Sequence, residues 1–159
     1  MHYEFPNTKR QGEWAEIEFS SRGARIGLTI LEPKGDSARY DRVTDDRGKL
    51  NRVQVKSIGK PRKDGCFSVK LKTLLTARYR IGEIDFFAIL IMPLNTWYII
   101  PVRAARGVDT MCFRPNQVTR AIRFEKYREA WHLLLNPRRK GLRKLTTPKG
   151  SHSRKTRVA

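Results

Sequence analysis

The 159-residue sequence contains few cysteines and no long apolar run. Its two cysteines, Cys66 and Cys112, are isolated, with no Cys-x-x-Cys motif and no paired histidine beside them. We therefore expect neither a disulfide framework nor a structural zinc site, and we expect a reducing, cytoplasmic location. The longest apolar run, residues 86–93, is far shorter than the roughly 20 residues that span a bilayer, so we expect no membrane partner. Residues 1–10 lack the apolar segment of a secretory signal.

Acidic residues are also scarce, and their distribution is informative. The chain has 34 Lys and Arg against 15 Asp and Glu, a net charge of +19. Such a charge favours a polyanionic partner, although charge alone does not choose between nucleic acid and an anionic membrane surface. Nine of the fifteen acids lie within the first 46 residues. A cluster of carboxylates does not help a protein that only binds phosphate. A protein that brings a metal ion to phosphate needs carboxylates as ligands for the ion.

The hydrophobic pattern predicts an α/β fold in which helices flank a mixed central β-sheet. Helices are predicted at residues 9–22, after the N-cap types Asn7 and Thr8, and at residues 118–135. Gly23 is the expected end of the first helix. Strands are predicted at residues 25–31, 39–44, 50–58, 67–71, 84–92 and 96–102. Residues 73–80 are ambiguous and are compatible with a short helix.

The predicted domain covers residues 1–136, and residues 137–159 form a basic C-terminal tail. The tail contains nine Lys or Arg, no acidic residue and only four apolar residues. That composition is typical of a flexible segment that adds salt-sensitive, sequence-independent affinity for a polyanion.

Three side chains are expected to meet on one face of the predicted sheet. Gln54 and Lys56 are two residues apart in one strand, so both point to the same side. If the preceding turn is centred on residues 46–47, Asp41 lies opposite Arg52 and on that same side. A bulge in the turn would shift this register by one residue. The pattern therefore predicts a carboxylate, an amide and an ammonium group on one surface.

This set of groups suits the hydrolysis of a phosphodiester. A hard ion such as Mg²⁺ prefers oxygen ligands, which Asp41, the Gln54 side chain and the Val55 carbonyl would supply. The ion would polarise the phosphate and acidify a bound water molecule. Lys56 would orient the attacking water or stabilise the charge that develops on the phosphate.

These residues resemble the PD-(D/E)XK nuclease superfamily. Within it, the closest resemblance is to the group I intron homing endonuclease branch, through Asn7-Thr8-Lys9-x-x-Gly12-Glu13-x-Ala15-Glu16 and Gln54-Val55-Lys56-Ser57. Archaeal Holliday-junction resolvases are similar over the same first third of the chain. The resemblance is fainter at residues 85–88 and 97–101, and none is seen in the tail.

The resemblance implies a role for each matched residue. Glu16 contributes to the metal site directly or through water, Asp41 is a metal ligand, and Lys56 is the catalytic lysine. Gln54 stands where an acidic residue is usual, which removes one negative charge and should weaken metal binding. Tyr40 directly precedes Asp41, at the position where the Pro-Asp motif of the superfamily name has proline. The implied cofactor is Mg²⁺, with Mn²⁺ as an alternative, and the implied assembly is a homodimer or homotetramer.

Exposed basic residues near this set are the predicted contacts to nucleic acid: Lys9, Arg10, Lys34, Lys60, Arg62 and Lys63. Other acidic residues have structural interpretations. Asp36, Asp45 and Asp46 are predicted to form turns, and Asp85 is predicted to form a salt bridge. The three tryptophans are expected to lie in the core.

Together these features predict a metal-dependent endonuclease that cleaves double-stranded DNA, of homing type by resemblance, associated with the nucleoid. Two alternatives stay open. One is a nuclease selective for four-way junctions or another DNA structure. The other is a basic nucleic-acid-binding module without activity, against which the clustered carboxylates argue, because carboxylates repel phosphate unless a cation intervenes.

Overall fold

A computed structural model describes residues 5–35, 37–71, 79, 82–115 and 123–138 of the chain. Within these residues there is one α-helix, α1, at Thr8–Arg25. The strands are β1 (Thr29–Leu31), β2 (Arg42–Asp46), β3 (Lys49–Ile58), β4 (Phe67–Lys70), β5 (Phe86–Ile91), β6 (Thr96–Pro101) and β7 (Thr110–Phe113). Short 3-10 turns lie at Met92–Leu94, Val102–Ala105, Glu125–Tyr127 and Trp131–Leu133.

The central sheet has five strands in the order β1-β2-β3-β5-β6. Strands β3 and β5 run parallel, and every other neighbouring pair in this sheet is antiparallel. The predicted mixed sheet is therefore confirmed. No helix of the described residues is long and apolar enough to cross a membrane.

Different elements cover the two faces of the sheet. On one face, Ala15 and Phe19 of α1 pack against Val53 and Val55 of β3. On the other face, the antiparallel pair β4 and β7 contributes Phe67, Met111 and Phe113 to a second apolar cluster, which includes Ile58 of β3. Within the described residues, one helix therefore covers one face of the mixed sheet and a two-stranded ribbon covers the other, and the predicted α/β fold is confirmed.

The alternation of β3 determines where its polar residues lie. Val53 and Val55 belong to the cluster under α1, and Ile58 belongs to the cluster under the ribbon. Since neighbouring side chains point to opposite faces, Gln54 and Lys56 share the ribbon side with Ile58. The sequence-based expectation that Gln54 and Lys56 share one face is confirmed.

Helix α1 begins where the sequence predicts and ends later than expected. Asn7 is the N-cap, and its Oδ1 accepts a hydrogen bond of 2.9 Å from the Arg10 backbone N–H. Gly23 does not end the helix, which continues to Arg25. A Cβ at Gly23 would stand 2.8 Å from Cδ1 of Ile30. Glycine at this position therefore allows close packing of the helix against β1. The residue with a left-handed backbone conformation after the helix is Gly27, with φ 84°.

The β2–β3 hairpin has a different register from the one predicted. Its two-residue turn, Arg47-Gly48, has positive φ at both positions (55° and 84°), and Asp46 pairs with Lys49. Arg52 consequently lies opposite Val43 and not opposite Asp41. Each residue of this hairpin arm therefore pairs two positions further along β3 than predicted. Because side chains alternate between the two faces, a shift of two positions leaves Asp41 on the predicted face of the sheet.

The predicted helix at residues 118–135 is wrong for its described part, which contains only 3-10 turns. The chain turns at Glu129, which has φ 48°. The Glu129 carboxylate accepts hydrogen bonds from the Trp97 backbone N–H (2.8 Å) and Trp131 Nε1 (3.0 Å), and it pairs with Arg22 at 2.7 Å. These tertiary bonds outweigh the helical pattern of the local sequence.

The expectation that Cys66 and Cys112 form no disulfide is also wrong. Cys66 and Cys112 form a disulfide with a Cα–Cα distance of 5.9 Å. Strand pairing explains the contact, because Ser68 lies opposite Cys112 and Cys66 precedes β4. A sequence separation of 46 residues hides this proximity from the sequence pattern. The predicted helical segment 73–80 lies outside the described residues except for Tyr79.

Candidate active site

Asp41 joins the start of β2 to the middle of β3. Its backbone N–H donates to the Val53 carbonyl at 2.9 Å, which anchors it beside β3. Its Oδ2 accepts hydrogen bonds from Gln54 Nε2 at 2.5 Å and from the Val55 N–H at 2.7 Å. The structure therefore brings together Asp41 and Gln54, as the sequence predicts, although by a different register.

Burial makes the charge of Asp41 costly. Desolvation raises the pKa of this carboxyl above its ordinary value, against the opposing effects of the Val55 N–H, the Lys56 charge and the Gln54 amide. A positive charge placed at the carboxylate would relieve that cost.

Glu16 reaches the same region from α1. Burial raises the pKa of Glu16, the negative charge of Asp41 raises it further, and the nearby Arg42 acts in the opposite direction. Two partly buried carboxylates, of which Asp41 raises the pKa of Glu16, form a favourable environment for a cation.

Arg42 is a site residue that sequence reasoning missed. It is buried, and its guanidinium lies 3.1 Å from Glu16 and 3.1 Å from Glu32. It also donates to Ser20 Oγ at 3.1 Å and to the Asp41 carbonyl at 2.6 Å. Arg42 thus ties α1 to the start of β2, directly after Asp41. Its position directly after Asp41 was the only sequence signal.

Lys56 lies half-buried on β3 beside a second missed residue, Tyr79. Burial lowers the pKa of Lys56, while the charge of Asp41 acts to raise it. Lys56 Nζ is 6.0 Å from the centroid of the Tyr79 ring, and the Arg39 guanidinium is 5.1 Å from the same centroid. The aromatic ring is within the range at which it attracts and orients the ammonium group.

A further bond connects the two segments that carry the motifs. Gln11 Nε2 of α1 donates to Ser57 Oγ of β3 at 2.9 Å. Ser57 is the residue after Lys56, so the bond holds the helix against the strand next to the ammonium group. Neither residue was singled out from the sequence by a role of its own.

The chemistry of the available donors fits a hard divalent ion. Asp41 and Glu16 supply carboxylate oxygens, and Gln54, which donates through its Nε2, retains its Oε1 as a neutral oxygen donor. The described residues contain no group of three or more His, Cys, Asp and Glu side chains that would hold a metal ion by themselves. An ion here would therefore depend on amide, main-chain or water oxygens, and ligation by the Val55 carbonyl stays a prediction.

The predicted nucleic-acid contacts are all exposed, and their role stays a prediction. Lys9 and Arg10 lie in the first turn of α1, and Lys34 lies in the loop after β1. Lys60, Arg62 and Lys63 lie in the loop between β3 and β4.

The remaining acids have the structural roles expected for most of them. Asp45 Oδ1 accepts from the Gly48 N–H at 2.8 Å, a bond within the hairpin turn. Asp46 is not a turn residue as predicted but the buried last residue of β2, and its Oδ2 accepts a hydrogen bond from the Asn136 N–H at 2.8 Å. Asp85 forms a salt bridge to Arg52 at 3.0 Å, as predicted. Asp36 lies outside the described residues.

Comparison with known proteins agrees with this fold. The family model described as PD-(D/E)XK endonuclease matches residues 6–134. The chain belongs to this family. A solved structure of a bacterial homing endonuclease, I-Ssp6803I, superposes with a TM-score of 0.72 and 32% sequence identity. The match covers 81% of this chain and 93% of that one.

A Holliday-junction resolvase, Hjc of Archaeoglobus fulgidus, matches with a TM-score of 0.43 and 17% identity, over 65% of this chain and 84% of that one. No curated protein matches the chain by sequence. Membership of the PD-(D/E)XK endonuclease family makes phosphodiester hydrolysis the chemistry of the protein. It also agrees with the resemblance drawn from the two sequence motifs.

Proposed function

We propose that this PD-(D/E)XK protein is a Mg²⁺-dependent endonuclease that cleaves double-stranded DNA at a specific sequence, in the manner of a homing endonuclease. One observation carries the proposal. Asp41 accepts hydrogen bonds from Gln54 and Val55 on the face that also holds Lys56, in a chain 32% identical to a bacterial homing endonuclease.

In the proposed reaction, Asp41, Glu16 and the Gln54 Oε1 hold Mg²⁺, or Mn²⁺ in its place. When bound, the ion supplies positive charge at the scissile phosphate and makes a water molecule more acidic. Asp41 is held for this role by the Val55 N–H. Lys56 donates to the attacking water or to a phosphate oxygen and stabilises the added negative charge.

The electrostatics of the chain support a DNA substrate. A net charge of +19 favours binding to a phosphate backbone with release of counterions. Each chain carries one such candidate site, which would cut one strand. Cleavage of both strands therefore requires two chains, and we propose a homodimer or homotetramer in the cytoplasm, associated with the nucleoid.

The test uses purified full-length protein, a library of plasmids with random inserts and a synthetic four-way junction. Each substrate is incubated with Mg²⁺, Mn²⁺ or EDTA. Asp41→Asn and Lys56→Ala are compared with wild type, and Asp45→Asn is the matched control because Asp45 serves the hairpin turn. We expect cleavage at discrete plasmid positions that needs the divalent ion, is abolished in the first two variants and survives in the control.

Two results would overturn the proposal. Preferential cleavage of the four-way junction would replace sequence selection with selection of DNA structure. Tight binding of duplex DNA with no cleavage of any substrate in either metal ion would favour the non-catalytic binding module.

A further inference from the structure

The ribbon formed by β4 and β7 has one apolar face and one polar face. Its inward residues Phe67, Met111 and Phe113 are buried against the central sheet. The alternate positions face outward: Ser68 opposite Cys112, and Lys70 opposite Thr110. Lys70, Thr110 and Cys112 are exposed, and Ser68 is half-buried. The outward face is therefore a surface of short polar side chains and one long cation.

The surroundings of this face are strongly basic. Residues 60–70 and 103–114, which contain the ribbon and the segments leading into it, include seven Lys and Arg but only two acids, Asp64 and Asp109. Helix α1, on the opposite face of the sheet, has four basic and three acidic residues. The positive potential thus favours the approach of a polyanion from the ribbon side.

The ribbon and the basic loop before it are held together. The Arg62 N–H donates to the Cys66 carbonyl at 2.8 Å, and the Gly65 N–H donates to the Arg62 carbonyl at 2.9 Å. Asp64 lies 3.3 Å from Arg114, which follows β7, and the disulfide joins Cys66 to Cys112. A surface held in this way loses little conformational entropy when it binds.

The position of the ribbon relates it to the candidate active site. Gln54 and Lys56 lie on the ribbon side of β3, and the basic loop directly follows this strand. The major groove of B-DNA, about 12 Å wide, admits a two-stranded ribbon and displays a distinct pattern of donors and acceptors for each base pair. Lysine, serine and threonine are residue types that read this pattern.

We infer that the outward face of the β4–β7 ribbon enters the major groove and that Ser68, Lys70 and Thr110 read base edges there. The partner is duplex DNA, so the inference rests on the proposed function and adds the surface that selects the target. Lys60 and Lys63 at the rim then contact phosphates, which position the ribbon without selecting a sequence.

The first experiment selects preferred targets from a randomised duplex library in EDTA, where the proposed reaction does not run. The ribbon variant Ser68→Ala/Lys70→Ala is compared with Ser21→Ala/Arg25→Ala, a matched pair of exposed residues on α1. We expect wild type and control to enrich the same sequence. The ribbon variant should lose about tenfold or more of its preference at a block of adjacent base pairs.

The second measurement places the photocrosslinking residue benzoylphenylalanine at position 70 or, as control, at position 25. The probe is a duplex whose sequence is unrelated to the selected target. We expect crosslinks from position 70 only. An unchanged preferred sequence in the ribbon variant, or no crosslink from position 70 to bound DNA, would overturn the inference. Mg²⁺-dependent cleavage by wild type in that case would leave the proposed function intact, whereas wild type that neither binds nor cleaves DNA would refute both.

Discussion

At the scale of single residues, the balance of charges around Asp41 and Glu16 is the central feature. Burial raises the pKa of both carboxyls, and each lies near a cation that acts against this, Lys56 or Arg42. The site is therefore neither a set of solvated acids nor a fully neutralised ion pair. A divalent ion bound at these carboxylates would offset the cost of burying their charge.

This balance predicts a pH dependence of stability in the absence of metal. Because the folded pKa of Asp41 lies above the ordinary value of 3.8, the folded state binds this proton more tightly than the unfolded chain does. The contribution to stability is greatest below the ordinary value and falls as pH rises through the raised pKa. Asp41→Asn removes this titration, so in EDTA its melting temperature should rise relative to wild type across that window.

The measurement is thermal unfolding of both proteins from about pH 3 to pH 7, in EDTA and in Mg²⁺. We expect Mg²⁺ to stabilise wild type near neutral pH and to leave Asp41→Asn unchanged. The Asp45→Asn variant should respond to Mg²⁺ as wild type does. Parallel pH curves for wild type and Asp41→Asn would contradict the assignment of a costly buried charge at this position.

At the scale of elements, the turn at Glu129 makes several of the contacts that hold the C-terminal part of the domain. Glu129 connects α1, β6 and the turn at Trp131–Leu133 through its carboxylate. The side chain is partly exposed, which moderates its ion pair with Arg22, but the N–H of Trp97 is left without this acceptor when the carboxylate is removed.

We therefore expect Glu129→Ala to lower the free energy of unfolding by about 2 kcal/mol. Glu129→Gln keeps an acceptor oxygen and should be less destabilising. Urea denaturation followed by tryptophan fluorescence measures the difference, with the exposed Glu13→Ala on α1 as control. Equal stability of Glu129→Ala and the control would show that the turn is held by other contacts.

A second prediction at this scale concerns the ribbon. A disulfide that closes a loop of this length (sequence separation 46) stabilises a folded protein by up to about 4 kcal/mol in the chain-entropy account. Cys112→Ser should lower the midpoint of denaturation under oxidising conditions and make no difference in the presence of a reductant. Thiol titration of the denatured wild type, prepared without reductant, should find no free thiol. Two free thiols would contradict the pairing.

At the scale of the whole molecule, acidic and basic residues are concentrated in different parts of the sequence. The site carboxylates occupy the first 46 residues, whereas residues 137–159 contain nine basic residues and no acid. Such a distribution separates metal binding, which needs acids, from general attraction to a phosphate backbone, which needs bases.

Removal of residues 139–159 should consequently weaken duplex binding while leaving cleavage dependent on the same divalent ion. The logarithmic salt dependence of the binding constant should become shallower by about 0.9 for each phosphate that the tail neutralises in the full-length protein. Fluorescence anisotropy at several salt concentrations measures this slope. An unchanged slope would show that the tail does not bind DNA, and cleavage at the same positions would show that it does not choose the target.

Local patterns in the sequence were enough to predict the mixed sheet, the capped start of α1 and the shared face of Gln54 and Lys56. These features depend on neighbours within a few residues, through strand alternation, helix capping and turn chemistry. Asp41 was placed on the correct face even though the hairpin register was two residues off, because only the parity of the register determines the face.

Only the tertiary structure decided which distant groups meet. Arg42 pairs with Glu16, Glu129 turns the chain at the edge of β6, and Cys66 meets Cys112. Each contact joins segments at least 26 residues apart, so no local periodicity records it. Such contacts stabilise the protein only once the faces of the sheet are covered. Where these tertiary contacts and the local helix preference disagree, the tertiary contacts prevail, as at the helix predicted for residues 118–135.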